Sequence, residues 1–236
     1  MISVCMATYN GAKYIKDQIV SILIQLKEED ELIISDDGSN DDTIPIIHSL
    51  SDKRIKLYHN KGKHGVIWNF ENALRKAKGD YIFLCDQDDV WHPHKVESIL
   101  HLLQSNILVV HNATIIDGEG ESKGRDFFQI RKSKGGYWNN IWRNSYLGCC
   151  MCFRAELLPR LFPFPTYIEM HDRWIGLMAQ LYGKVYYEPK CLINYRVHGS
   201  NVSNSTEKSI NSPWKMLTIR LWLIYYTSCR YIKIVF

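Results

Sequence analysis

Asp86, Gln87, Asp88 and Asp89 cut off a run of apolar side chains that begins at Tyr81. A short apolar run that stops at acids predicts a buried parallel strand delivering carboxylates to its C-terminal end. Three carboxylates within four residues repel one another unless a cation lies among them. Hard oxygen ligands at this spacing suit Mg²⁺ or Mn²⁺, with substrate phosphates completing the shell. The plainer alternative is a polar turn with a helix cap ahead of Pro93. Two more polar clusters end apolar runs in the same manner: Thr8-Tyr9-Asn10 after Ile2–Ala7, and Asp36-Asp37-Gly38-Ser39 after Glu31–Ser35. One polar turn is easily structural; three after successive strands converge on one edge of a sheet, where open α/β folds bind ligands. No glycine-rich phosphate loop of the Walker or dinucleotide type is present, so phosphates here would be neutralised by a metal rather than by a nest of amides.

Helical spacing fills the gaps between these strands. Ile15, Ile19, Ile22, Leu23 and Leu26 share one face after a turn at Thr8–Gly11, with Asn10 as the expected N-cap. Ile46, Ile47 and Leu50 mark a short helix that tolerates Pro45 in its first turn, and Ile55–His59 makes a third strand. Val66–Ala77 carries Ile67, Phe70, Leu74 and Ala77 inward and is closed by Gly79. Pro93 opens a helix with Val96, Ile99, Leu100 and Leu103 inward, and Ile107–Ile116 is a further strand. Strands alternating with helices predict an α/β fold with an open, mostly parallel sheet covered on both faces. The stretch 118–146 is rich in Gly, Lys and Ser, has no clean period, and reads as a mobile loop. Helical spacing resumes at Trp174–Tyr182, where Asp172 could simply be an N-cap.

With 236 residues, 46% of them apolar, the chain can build one large core or a core with a small subdomain. Its first residues enter a strand without a basic n-region or signal-type apolar stretch, so a cytoplasmic protein is expected. The seven cysteines are odd in number and fall in apolar runs without framework spacing, which reads as reduced thiols. Cys149, Cys150 and Cys152 lack a second ligand pair at zinc spacing and read as a buried strand. The sequons at Asn112, Asn201 and Asn204 would then carry no glycan. Charge is uneven: from Lys208 to Phe236 there are five Lys/Arg and no acid, leaving 24 basic against 25 acidic residues elsewhere. Trp214, Leu217, Leu221, Trp222, Ile224, Tyr225 and Tyr226 interleave with those cations, the profile of an interfacial amphipathic helix. A helix packed on its own core or on a second subunit, as in a homodimer, has the same pattern. No nucleic-acid partner is expected.

The set Cys5–Gly11, Ser35–Ser39, Gly79–Asp89, Met170–Trp174 and Tyr195–Asn201 resembles glycosyltransferase family 2, the inverting enzymes with the Rossmann-like A-type nucleotide-sugar fold. The wording Asp-Gln-Asp-Asp-Val-Trp, with Asn69-Phe70-Glu71 upstream, looks most like the bacterial surface-polysaccharide branch of rhamnosyl-, glucosyl- and galactosyltransferases. Many relatives have Ala-Arg-Asn near Trp68–Asn69; this chain lacks that arginine. The resemblance implies a transferase domain over 1–205, with a nucleotide-sugar half (1–117) and an acceptor half (118–205), followed by the basic tail 206–236.

It also implies roles. Thr8, Tyr9, Asn10, Asp36, Asp37, Ser39, Gln87 and Arg196 would hold a UDP- or dTDP-sugar. Asp86 and Asp88 would frame Mn²⁺ or Mg²⁺ on the diphosphate, joined by His198 from a closing segment, with Asp89 orienting that shell. Asp172 would be the general base, with Glu169 and His171 weaker candidates. Gly148 and Cys149 would back the acceptor site, and Trp91 and Trp174 would stack on sugar faces unless they are ordinary core residues. The acceptor would be a saccharide, carried on a polyprenyl diphosphate, in O-antigen, capsule or cell-wall synthesis. The basic tail and loop would then meet an anionic membrane at its inner face. A haloacid-dehalogenase-type phosphotransferase would carry its Asp-x-Asp on an early strand, and a sugar-nucleotide pyrophosphorylase would need a glycine-rich N-terminal loop; neither is found. A non-catalytic binding protein on this fold would be expected to have lost Asp88 or Asp172.

Overall fold

The computed structural model describes residues 1–199 and 212–235; the sequons Asn201 and Asn204, Lys208 and the boundary at 205/206 lie outside the described residues. β1 (Ile2–Thr8) is buried along its whole length, as a continuous apolar strand covered on both faces must be. There follow α1 (Ile15–Leu23), β2 (Glu31–Asp36), α2 (Thr43–Ser49), β3 (Ile55–His59), α3 (Val66–Leu74) and β4 (Tyr81–Asp86). β2, β1 and β4 run parallel in a register that sets Thr8 beside Asp36 and Ala7 beside Asp86. That alignment brings the three polar clusters to one level of the sheet.

Beyond β4 come the two-residue β5 (Val90–Trp91), α4 (Lys95–Leu103) and β6 (Leu108–Ile116). The stretch 118–146, expected as a loop, instead holds β7 (Ser122–Asp126), α5 (Phe127–Arg131) and α6 (Tyr137–Trp142). Isolated anchors order it. The Asp126 carboxylate caps α5 by accepting from the Gln129 amide, and Phe127, Ile141 and Tyr146 are buried. Single apolar residues among polar ones leave no period to read. Gly148–Cys150, expected as strand, is a tight turn in which the Cys150 amide donates to the Leu147 carbonyl; β8 (Met151–Arg154) starts after it.

The chain closes with α7 (Leu158–Leu161), α8 (His171–Tyr182), β9 (Val185–Arg196) and α9 (Pro213–Val235). The described strands form one sheet in the order β3-β2-β1-β4-β8-β6-β9-β5, with β7 paired to β6 off this path. The mixed α/β, mostly parallel sheet is as expected. The buried strand expected around the cysteine cluster is β8; what the alternation did not reveal is its placement, antiparallel to both neighbours and inserted between β4 and β6.

Two helix starts differ from expectation. Asn10 does not cap α1: it sits at φ 48°, a region asparagine tolerates, and its Oδ1 accepts from the Asn40 amide. The Gly11 carbonyl opens that helix by accepting from Tyr14 and Ile15. α8 begins at His171 with Met170 at its cap, so Asp172 lies within the first turn and is no N-cap. α9 lays one face on the body, with Leu223 and Thr227 fully buried and the Tyr137 hydroxyl 2.6 Å from Thr227 Oγ1. Arg230 donates to the Phe162 and Pro163 carbonyls, while Trp214, Leu221 and Tyr225 stay exposed. No helix among the described residues is long and apolar enough to cross a membrane.

Candidate active site

The carboxyl ends of β1, β2 and β4 border a cavity of about 340 Å³. One wall is built from Thr8, Tyr9, Asp37 and Gln87. Gln87 latches the end of β1: its Oε1 accepts from the Thr8 hydroxyl and the Tyr9 amide, and its Nε2 donates to the Tyr9 carbonyl. The latch requires Gly11, since a Cβ there would come within 2.3 Å of Gln87 Oε1. The adjacent acids after β2 divide their work. Asp36 is buried and accepts from Gly38, Ser39 and the Ser39 hydroxyl, so it shapes the loop. Asp37 faces the cavity, accepting from Asn60, from the His64 ring and from the Gly65 amide.

Asp86 and Asp88 line the next wall, with the buried Asp89 close behind. Burial first, then the neighbouring Asp88 and Asp172 carboxylates, push Asp86 up to about 7. Burial raises Asp88, opposed by the His198 ring 2.8 Å from its Oδ2, and raises Asp89 far more. Asp89 accepts the Arg196 amide on Oδ1, while its Oδ2 is buried with no hydrogen-bond partner among the described residues. Asp86, Asp89 and Cys149 offer ligand atoms within 4.8 Å of one another, so the acids gather as that set beside the Asp88–His198 pair rather than as a single Asp86–Asp88–His198 group. Burial holds Cys149 as a neutral thiol. Crowded, proton-hungry carboxylates with an orphaned oxygen fit an oxygen-seeking divalent cation.

Across the cavity, Gly148, Met170, His171 and Asp172 form the facing wall. Asp172 is buried, and burial pushes it up to about 6 against the pull of the Arg173 amide and Asn144. Arg173 is turned away, donating to the Asn140 and Ile141 carbonyls and to Glu169. His171 stacks on Phe70 with centroids 3.9 Å apart, has no hydrogen-bond partner on either ring nitrogen among the described residues, and is driven by burial to about 3. It is therefore a neutral imidazole. Gly148 permits its approach, because a Cβ there would lie 2.7 Å from His171 Nε2.

Thr8, Tyr9, Asp37, Asp86, Gln87, Asp88, Gly148, His171 and Asp172 thus meet in one cavity. Others expected there do not line it. Asn10, Asp36 and Ser39 are tied into the loop beneath. The Arg196 guanidinium, expected on phosphate, donates to the carbonyls of Asp88, Asp117 and Gly118 and acts as a strut. Trp91 and Trp174 are core residues: Trp91 packs on Phe83, and the Trp174 indole donates to the Leu161 carbonyl, leaving no open ring face for a sugar. Cys149 lies under the wall, Glu169 is paired with Arg173, and His198 does not line the cavity but contacts Asp88, which does. Gly65 lines the cavity without having been singled out, and Asn69, noted in the motif Asn69-Phe70-Glu71, lines it without having been given a role. Asn69 bridges the Thr8 carbonyl and the Ser35 hydroxyl, and its signal was a polar residue beside the apolar face of α3.

The family model for glycosyl transferase family 2 matches residues 3–162. An uncharacterized glycosyltransferase, alr2836, of Nostoc is 29% identical over 85% of this chain and 66% of its own length. The Escherichia coli UDP-Glc:alpha-D-GlcNAc-diphosphoundecaprenol beta-1,3-glucosyltransferase WfgD is 28% identical over 92% of this chain and 85% of its own. Among solved structures, S. aureus TarS 1-349 in complex with UDP-GlcNAc superposes with a TM-score of 0.72 at 18% identity, covering 95% of this chain and 65% of that one. At that identity the likeness speaks for the fold. The chain spans just under two thirds of the Nostoc relative and of the TarS segment.

Proposed function

The chain belongs to glycosyl transferase family 2, and we propose that it moves a hexose or deoxyhexose, with inversion, from a UDP- or dTDP-sugar to a saccharide acceptor carried on a polyprenyl diphosphate. One observation carries the reading: a single cavity has a carboxylate rim at the strand ends on one side and the solitary buried Asp172 on the other. Inversion needs that opposition, because the nucleophile attacks the face of the sugar away from the leaving group.

Asp37 accepts the N3–H of the pyrimidine, an N–H that uracil and thymine both offer, using lone pairs left over from Asn60, His64 and Gly65. Gln87 and Asn69 hold the β1 end that supports the nucleoside. Asp172 takes the proton of the attacking acceptor hydroxyl as the new oxygen–C1 bond forms and the C1–oxygen bond to the diphosphate breaks. Asp86 and Asp88, with His198 beside them, would hold Mn²⁺ or Mg²⁺, which supplies positive charge to the leaving nucleoside diphosphate. The neutral His171 can both donate to and accept from a sugar hydroxyl next to Asp172.

The name of WfgD describes transfer to a diphosphoundecaprenol-linked sugar, which supports a lipid-linked acceptor and a place at the inner face of the membrane for this chain. Trp214, Leu221 and Tyr225 on α9, with Trp138 and Trp142 on α6, are exposed among Lys215 and Arg220. Aromatic rings interleaved with cations suit an anionic bilayer surface. Domain limits of 1–205 and 206–236 accompany this reading. A panel of UDP- and dTDP-sugars, with Mn²⁺ and a polyprenyl-diphosphate sugar, tests it. Nucleoside diphosphate release with an inverted product is expected; retention at C1, or no turnover with any pyrimidine donor, rejects it.

A further inference from the structure

Lys95 opens α4, and none of its side chain reaches solvent. Its Nζ lies 3.9 Å from the centroid of the Trp91 ring and donates to the Cys149 carbonyl at 3.3 Å. Removing an ammonium from water is costly, and a methionine of similar length would fill the space without that cost. Packing alone therefore does not account for the charge. The mechanism above does not use it either: Lys95 does not line the cavity.

What lies on the far side of Cys149 gives the charge a purpose. The Cys149 thiol sits within 4.8 Å of carboxylate oxygens of Asp86 and Asp89, so Lys95 stands one residue behind the acid cluster. The side chains of Cys85, Asp86 and Cys152 all feel its field. The cluster's other basic neighbours, Arg196 and His198, approach from the C-terminal end of β9 and just beyond it. Lys95 approaches from the first turn of α4 with its side chain fully buried.

We propose that Lys95 is a permanent counter-ion under the acid cluster, offsetting one carboxylate so that the divalent cation and the nucleoside diphosphate are held weakly enough to leave after transfer. Lys95 touches neither substrate nor cation and acts through its field. The inference rests on the reading of Asp86 and Asp88 as the cation site. A like charge buried near a divalent ion is poorly screened. Its loss should strengthen binding even though the ligands are untouched.

Mn²⁺ binding in the presence of UDP, followed by loss of the free Mn²⁺ paramagnetic signal near pH 8, tests this on wild type, Lys95→Met, Lys95→Gln and Asp88→Asn. Both Lys95 variants should bind Mn²⁺ roughly tenfold more tightly or better, by the Coulomb argument. UDP should inhibit their transfer at correspondingly lower concentration, and kcat should fall. Gln keeps an N–H for the Cys149 carbonyl but no charge, so wild-type affinity in Lys95→Gln would mean that Lys95 merely anchors that carbonyl and would overturn the proposal. Unchanged or weaker Mn²⁺ binding in a cooperatively unfolding Lys95→Met overturns it too; should Met not fold, Lys95→Gln alone decides. If wild type binds no Mn²⁺, or Asp88→Asn binds it as well as wild type, the cation-site reading itself falls, an outcome distinct from the failure of Lys95.

Discussion

Two sets of buried carboxylates face the same cavity, and their surroundings differ. Asp86, Asp88 and Asp89 crowd together after β4, with His198, Arg196 and Lys95 drawn in around them. Asp172 stands apart from them at the start of α8, where the neighbouring Arg173 spends its guanidinium on Glu169 and on two carbonyls of α6. Both sets hold protons more firmly than free carboxylates, chiefly through burial; repulsion between carboxylates comes next in the crowded set, whereas at Asp172 repulsion from Glu169 is outweighed by the Arg173 amide, Asn144 and the Arg173 charge. A crowd of acids relieves itself by sharing a cation; a solitary buried acid relieves itself by taking a proton. On the proposed reading, one cavity carries two chemistries made from the same side chain.

Removing the solitary acid should have the largest effect. Asp172→Asn keeps the size of the side chain but cannot take a proton, so kcat should fall by roughly 10²–10⁴ with donor affinity little changed. Turnover near wild type would erase the difference between the two sets. The variant should also be more stable at neutral pH. Folding raises Asp172 from its ordinary 3.8 to about 6. The native state thus binds this proton more tightly than the unfolded chain, and stability declines as pH climbs through that window. Asn escapes that loss, a gain of about 1–3 kcal/mol near pH 8 that thermal unfolding can read.

Weakening the crowd comes next. Asp88→Asn, or excess chelator, should lower transfer about 10²-fold while leaving unfolding cooperative, since a divalent ion supports the leaving group. Full activity in chelator would leave the acid cluster without a cation role.

A pH profile separates the two sets further. The base must be ionised to work, so kcat/KM should fall about tenfold per pH unit below about 6 and level off above it. Asp172→Asn should flatten that limb. A limb that persists in the variant assigns it to the rim acids instead.

The smallest effect is expected far from both sets. Deleting 213–236 should weaken binding to anionic vesicles in a salt-sensitive way, yet change hydrolysis of free donor less than about twofold. Because Leu223, Thr227 and Arg230 pack on the body, Trp214→Ser with Leu221→Ser is the milder version. Vesicle binding that ignores these residues would make α9 purely structural.

The rim was largely legible in the sequence, because strand ends, turn chemistry and helical period are local properties. Ile55–His59 has the bounds expected of it, and Thr8, Asp37, Asp86, Gln87 and Asp88 reach the cavity from strand ends that short apolar runs announce. The acceptor side was legible as a motif but not as a structure. The stretch 118–146 is held by scattered anchors with no period, and β8 is too short to announce that it would enter the sheet against the run of its neighbours. Aromatic residues misled for a related reason: Trp91 and Trp174 could serve a sugar or a core equally well, and only burial separates the two.

Residue types and local spacing determined, by themselves, the alternating α/β architecture, the cluster of acids at a strand end and the family that shares those motifs. The tertiary structure decided which acids face the cavity and what surrounds each of them. Asp36 and Asp37 are neighbours in the chain, but one is consumed by its own loop while the other faces the cavity. His198 meets Asp88 across 110 positions, and Lys95 meets the Cys149 carbonyl across 54. A carboxylate's proton affinity depends on the burial and charges within a few ångströms of it, and those neighbours are supplied by chain folding back from far away.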